Sequence, residues 1–105
     1  MVDDFQNVAG VSEILPGKIK ITKFMGQEIS IANVKGQFYV FSNICTHQGG
    51  PVGRGKLTGF VVQCPLHGSK FDIRTGAVVS PPARTSLNTF VVKVENDSVW
   101  VKKTA

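Results

Sequence analysis

The cysteines and histidines of this chain lie together in one short segment. The 105-residue sequence has two of each, and all four fall between Cys45 and His67. They form the pattern Cys-x-His (Cys45, His47) and, sixteen residues later, Cys-x-x-His (Cys64, His67). Thiolate and imidazole are protein ligands that suit zinc and iron–sulfur centres. A lone cysteine or histidine is usually structural, so it is the two spaced pairs that predict a metal site.

The spacing of the four residues helps to choose between metals. Zinc fingers place like ligands together, two cysteines followed by two histidines. Here each stretch supplies one cysteine and one histidine. A Rieske [2Fe–2S] centre takes two cysteines on one iron and two histidines on the other, which this arrangement allows. A structural zinc module without a redox role remains an alternative.

The segments flanking this site have the pattern of antiparallel strands. Apolar and polar residues alternate along 18–22, 28–33 and 90–95, which is the period of half-buried strands. In the second of these runs the alternation puts Ser30 on the polar face. A turn at Met25-Gly26-Gln27 should join the first two runs as a hairpin. Ser12 is expected to cap a single helical turn.

The middle of the chain is rich in turn-forming residues. Residues 45–82 contain seven of the eleven glycines and four of the five prolines. Within this segment, two short stretches resemble strands, residues 60–63 and 70–73. Such a composition suits an all-β chain. It predicts a small sheet with two projecting loops, inserted between the strands of a larger sheet.

The motifs CTHQGG, CPLHGSKFDIRTG and SPP resemble those of the Rieske-type ferredoxins, and the resemblance covers nearly the whole chain. It implies an all-β Rieske fold of three antiparallel sheets, with a base (1–42 and 84–105) and an inserted cluster-binding subdomain (43–83). One [2Fe–2S] cluster per chain is implied. Its ligands would be Cys45 and Cys64 on the inner iron and His47 and His67 on the outer iron.

The same resemblance implies a soluble one-electron carrier and no catalytic residues. The chain would take an electron from a reductase and pass it to an oxygenase or another acceptor, docking transiently near His47 and His67. A small Rieske-type subunit of a redox enzyme, similar to the nitrite reductase small subunit, is the alternative. Neutral imidazoles in place of thiolates raise the potentials of Rieske centres to between about −150 and +300 mV.

Departures from the respiratory Rieske proteins refine this expectation. Those proteins brace the two loops with a disulfide at the positions of Gly50 and Leu66, where this chain has no cysteine. They also direct a serine and a tyrosine hydroxyl at the cluster. Ser69 matches the serine and is included among the cofactor-binding residues, whereas Phe71 stands at the tyrosine position. Since hydrogen bonds to the sulfurs raise the potential, we expect a potential below the respiratory type.

Charge and composition limit the partners. The formal net charge is +5, and a basic face around the site would steer an acidic partner, although scattered solubilising charge explains the same numbers. Dispersed basic residues without interleaved aromatics argue against nucleic-acid binding. The acidic start of the chain is unlike a signal peptide, and no apolar stretch reaches the length of a membrane helix. We therefore expect a cytoplasmic protein.

Overall fold

The computed structural model describes residues 5–46, 49–66 and 68–103 and is built almost entirely from strands. In the described ranges the strands are β1 Gln6–Gly10, β2 Ile19–Phe24, β3 Gln27–Val34, β4 Gln37–Ser42, β5 Lys56–Thr58, β6 Val61–Gln63, β7 Lys70–Asp72, β8 Val78–Ser80, β9 Thr89–Glu95 and β10 Ser98–Lys102. Single 3₁₀ turns occupy Val11–Glu13 and Val52–Arg54. None of the described residues forms a helix suited to crossing a membrane.

The larger sheet has six strands in the order β1-β10-β9-β4-β3-β2, and every pair in it is antiparallel. Two three-stranded halves meet where β4 pairs with β9. That junction consists of Val40 opposite Phe90 and Phe41 opposite Thr89. The all-β fold is thus confirmed. Two sheets are found where three were expected, because this short pairing merges the two halves of the base.

Short turns join the strands of the base as the sequence predicts. The turn between β2 and β3 has Met25 at φ +52° and Gly26 at φ +79°, the left-handed conformation that matches the twist of a tight hairpin. The predicted helical turn differs in its position. It begins at Val11, and the Gly10 N–H donates a hydrogen bond to Glu13 Oε2 at 2.9 Å. The expected Ser12 cap is therefore wrong, because the Glu13 carboxylate takes the capping role.

The smaller sheet has four strands in the order β5-β6-β7-β8 and falls between β4 and β9 in the sequence. Its inward face brings Leu57 opposite Val62, Val62 opposite Phe71, and Phe71 opposite Val78. Val62 and Phe71 are fully buried. The opposite face lies toward solvent and is mostly polar, with Val61 and Val79 among its residues.

Strand β3 is buried on both faces. Ile29 and Ile31 belong to the core of the base, whereas Ala32 belongs to a second core beneath the smaller sheet. Ser30 points to this second side and has no exposed surface. The alternation predicted a polar face there, and that prediction is wrong because the turn at Gly53 covers Ser30: a Cβ at Gly53 would lie 2.4 Å from Ser30 Oγ.

Candidate metal centre

Two loops of equal length carry the cysteines. Loop 1 (residues 45–50) follows β4, and loop 2 (residues 64–69) connects β6 to β7. Each is closed by the same bond: the Cys45 N–H donates to the carbonyl of Gly50 at 2.8 Å, and the Cys64 N–H donates to the carbonyl of Ser69 at 2.7 Å. The two cysteines therefore begin two loops of matching backbone closure.

A glycine with positive φ precedes the last residue of each loop. Gly49 has φ +74° and Gly68 has φ +79°, a region that residues with a Cβ rarely enter. The glycines of CTHQGG and CPLHGS thus have a specific backbone role in reversing the chain within each loop.

Both cysteine sulfurs are buried and face each other. Cys45 is 3% and Cys64 1% exposed, and both are free thiols. Burial raises the pKa of the Cys64 thiol, and its hydrogen bond with the Cys45 thiol raises that pKa further. A hydrogen bond from the Leu66 N–H acts in the opposite direction and lowers it. The two thiols, one from each loop, therefore interact within one apolar core.

Gly50 leaves room for the Cys64 sulfur. A Cβ at this position would lie 3.1 Å from Cys64 Sγ and 2.9 Å from the Leu66 Cβ. Both distances are shorter than ordinary van der Waals contacts, and Gly50 itself is buried. Gly50 and Leu66 are thus in direct contact here. These are the positions at which respiratory relatives are expected to hold a disulfide, and in this chain no covalent bond joins them.

Ser69 closes the buried side of loop 2. It has no exposed surface, and its Oγ accepts a hydrogen bond from the Ala83 N–H at 3.0 Å. This bond leaves the hydroxyl proton free to be donated. Phe71, two residues later, is fully buried in the same apolar core as both cysteines.

The segment after β8 contacts both loops. Besides the Ser69–Ala83 bond, the Thr46 hydroxyl donates to the Thr85 carbonyl at 2.5 Å. Residues 83–85 therefore join loop 1 to loop 2 from the side. This segment directly follows the Ser80-Pro81-Pro82 motif.

The two histidines of the motif, His47 and His67, lie outside the described residues. Their assignment as ligands of the outer iron stays a prediction. The structure brings together Cys45 and Cys64, which are the two sulfur ligands of the expected set, and Ser69 lies next to them.

Asn43 was missed by the sequence analysis although it lies two residues before Cys45. Its side chain is 2% exposed. Asn43 Oδ1 accepts from the Ser30 hydroxyl at 3.0 Å and from the Gly53 N–H at 2.8 Å, while Nδ2 donates to Glu28 Oε1 at 3.0 Å. Asn43 therefore ties the start of loop 1 to β3 and to the following 3₁₀ turn. A buried, fully bonded amide has no signature in a single sequence.

Comparison with known proteins identifies the family. The Rieske [2Fe-2S] domain matches residues 4–91. The chain belongs to the Rieske family. It is 33% identical over 102 residues to the ferredoxin component of the naphthalene 1,2-dioxygenase/salicylate 5-hydroxylase systems of Ralstonia sp., covering 97% of this chain and 98% of that protein.

Solved structures of Rieske ferredoxins have the same fold. The ferredoxin of carbazole 1,9a-dioxygenase from Nocardioides aromaticivorans IC177 superposes with a TM-score of 0.92 at 25% identity, covering 97% of this chain and all of that one. The complex of reduced oxygenase and oxidized ferredoxin in carbazole 1,9a-dioxygenase contains a chain with a TM-score of 0.87 at 32% identity, covering 92% and 100%. This Rieske protein is an electron carrier with one [2Fe–2S] cluster rather than an enzyme.

The described residues fit this cofactor. A Rieske cluster needs two thiolates on one iron, and Cys45 and Cys64 present two buried sulfurs that no disulfide consumes. Gly50 leaves the sulfurs uncrowded, and Ser69 has a hydroxyl proton to donate. The zinc alternative therefore gives way to the iron–sulfur prediction.

Proposed function

We propose that this Rieske protein is the ferredoxin component of a dioxygenase system, accepting one electron from a reductase and delivering it to an oxygenase. The relatives that match nearly the whole chain are named as ferredoxin components of such systems. The structural observation that carries the proposal is the pair of buried cysteines in one apolar core, on two loops of matching closure. A small subunit of a nitrite reductase is the less supported alternative, because relatives that are 33% and 35% identical to this chain are named as ferredoxin components.

We further propose that Cys45 and Cys64 hold one iron and that His47 and His67 hold the other. Residues 43–83 would then form the cluster-binding subdomain, with 1–42 and 84–105 as its base. The four strands of the smaller sheet and both cysteines fall inside 43–83, which supports this division.

When bound, the [2Fe–2S] cluster supplies one reversible oxidation step. The chain's own residues set the conditions for that step. The apolar core around both sulfurs excludes water, and the Leu66 N–H, which bonds Cys64, stabilises negative charge on that sulfur. Ser69 is placed to donate a second hydrogen bond. Such bonds favour the more negative reduced state and so raise the potential.

A cytoplasmic location belongs to this proposal. Both cysteines are free thiols, and a reducing compartment keeps thiols available for metal binding. Fractionation of the native cells with an antibody against this chain tests the location directly.

The ligand assignment is tested by single substitutions in the iron-loaded protein. His47→Ser and Cys64→Ser are each expected to abolish the Rieske absorption and the EPR signal of the reduced state, because a metal site that loses a ligand loses its holding energy. Gln48→Ser, next to His47, is the matched control and should keep both signals. A His47→Ser protein with an unchanged EPR spectrum would refute the assignment.

The carrier role is tested by reconstitution. The holoprotein is mixed with the reductase and the oxygenase of a naphthalene dioxygenase system, and product formation is measured. We expect turnover that depends on this chain. Normal reduction of the cluster by the reductase without any transfer to the oxygenase would favour a different acceptor.

A further inference from the structure

The outward face of the smaller sheet carries a row of residues paired directly across its strands. Lys56 is opposite Gln63, and Gln63 is opposite Lys70. Residues that are directly opposed share one face of a sheet, and neighbouring strands lie about 4.8 Å apart. The two lysines therefore stand about 10 Å apart on either side of one glutamine. We refer to Lys56, Gln63 and Lys70 as the basic row.

In the part of the chain that the structure describes, no acidic side chain forms an ion pair with the basic row. Asp72 is the one acidic residue between positions 51 and 84. It is already paired, since Arg74 Nη2 lies 2.8 Å from Asp72 Oδ2. Within the described ranges, neither Lys56 nor Lys70 takes part in an ion pair. This face therefore presents uncompensated positive charge.

The basic row is continuous with the metal centre. It lines a groove of about 370 Å³. A second groove of about 300 Å³ shares Lys56 and Gln63 and reaches Cys64, with Arg54 on its rim. Gln63 also approaches loop 2 directly, because its Nε2 lies 3.2 Å from the place where a Cβ at Gly68 would stand. A partner seated on the row would therefore lie beside a loop that carries a cluster ligand.

We propose that the basic row is the docking surface for an acidic face of the redox partner protein, beside loop 2 and its ligand Cys64. This inference rests on the proposed electron-carrier function and adds the partner's chemistry. Lys56 is exposed and Lys70 half-buried, and surface charges of this kind act mainly by steering, which raises the rate of encounter with an oppositely charged surface. A nucleic acid is disfavoured as the occupant, because the row carries no aromatic side chain on which a base could stack.

The local charge can be measured without the natural partner. The reduced holoprotein is oxidised by hexacyanoferrate(III), an anion, and by tris(phenanthroline)cobalt(III), a cation, in a stopped-flow instrument. In the K56E/K70E variant, the rate with the anion should fall about tenfold at low salt, and the rate with the cation should rise. Both differences should shrink at about 300 mM salt, where charges are screened beyond a few ångströms.

The matched control reverses two exposed lysines of the base. K18E/K103E changes the net charge of the chain by the same amount, and both residues are exposed outside the smaller sheet. It should alter the two rates by less than about twofold. Equal changes in the two double variants would show that only net charge matters and would overturn the proposal.

A polypeptide probe then tests the class of partner. Poly-L-glutamate should slow the hexacyanoferrate(III) reaction of the wild-type protein and of K18E/K103E, but not that of K56E/K70E. A DNA duplex that slows the reaction when poly-L-glutamate does not would overturn the proposal in favour of a nucleic acid. A normal Rieske spectrum with no effect of either probe would overturn this proposal alone, whereas a wild-type protein without that spectrum would overturn the proposed function.

Discussion

Replacing Asn43 by Ala tests whether one buried amide holds loop 1 on the base. The change removes the acceptor of two buried donors, the Ser30 hydroxyl and the Gly53 N–H. Each buried donor left without a partner costs about 1–3 kcal/mol. The third bond goes to Glu28, whose side chain is exposed, so its loss adds little. Asn43→Ala should therefore destabilise the fold by roughly 2–6 kcal/mol, a large part of the usual 5–15 kcal/mol of a domain.

Thermal unfolding followed by circular dichroism measures this effect. A loss of 2 kcal/mol or more lowers the Tm of a domain of this size by at least about 8 °C. The half-life of the visible absorption should shorten as well, since Asn43 lies two residues before Cys45. Asn88→Ala is the matched control, because Asn88 is exposed and contributes its backbone carbonyl to Ser42. A Tm for Asn43→Ala equal to that of Asn88→Ala would refute the reasoning.

A pair of compensating substitutions tests whether the Asn43 side chain stabilises the fold through its hydrogen bonds or through packing alone. Asn43→Asp keeps the acceptor for Ser30 and Gly53 but turns the donor at 3.0 Å from Glu28 Oε1 into an oxygen. Two carboxylates at that distance repel each other. Adding Glu28→Gln supplies an amide that can donate, so the double variant should regain most of the lost stability. Failure of Glu28→Gln to rescue Asn43→Asp would mean that packing alone matters at this position.

Three further outcomes are expected. Phe71→Tyr should raise the reduction potential, because a hydroxyl bonded to a ligand sulfur stabilises the reduced state; an unchanged potential in a redox titration would contradict this. Gly50→Ala should shorten the lifetime of the cluster several-fold, since its Cβ would lie 3.1 Å from Cys64 Sγ, and an unaltered decay of the visible absorption would count against it. The hydrogen bond from the Arg74 side chain lowers the pKa of Asp72. The pair therefore contributes its full stability above the ordinary pKa of aspartate. That contribution is lost as the pH falls through the lowered pKa. Wild-type stability should thus decline more than that of Asp72→Asn as the pH falls below about 4, the ordinary pKa of aspartate, and identical acid-unfolding curves would disprove the linkage.

The sequence by itself determined the local features and the chemistry of the ligands. Alternation marked the strands, because a strand with one buried face must repeat every two residues. Turn glycines marked the hairpins, since left-handed backbone favours glycine. The spacing of cysteines and histidines allowed a Rieske centre, since two ligand types on each of two loops suit two irons, and the resemblance of the motifs to Rieske-type ferredoxins favoured it over zinc. These signals lie in neighbouring residues and need no knowledge of the packing.

Only the tertiary structure decided which polar residues are buried and what they hold. Ser30 alternates like a surface residue, yet the turn at Gly53 covers it. Asn43 accepts hydrogen bonds from both Ser30 and Gly53, which are distant from each other along the chain. The basic row likewise depends on a register that pairs Lys56, Gln63 and Lys70 across three strands. Burial and cross-strand pairing arise from segments that are distant along the chain, so a local pattern cannot contain them; they are fixed when the two sheets pack against each other.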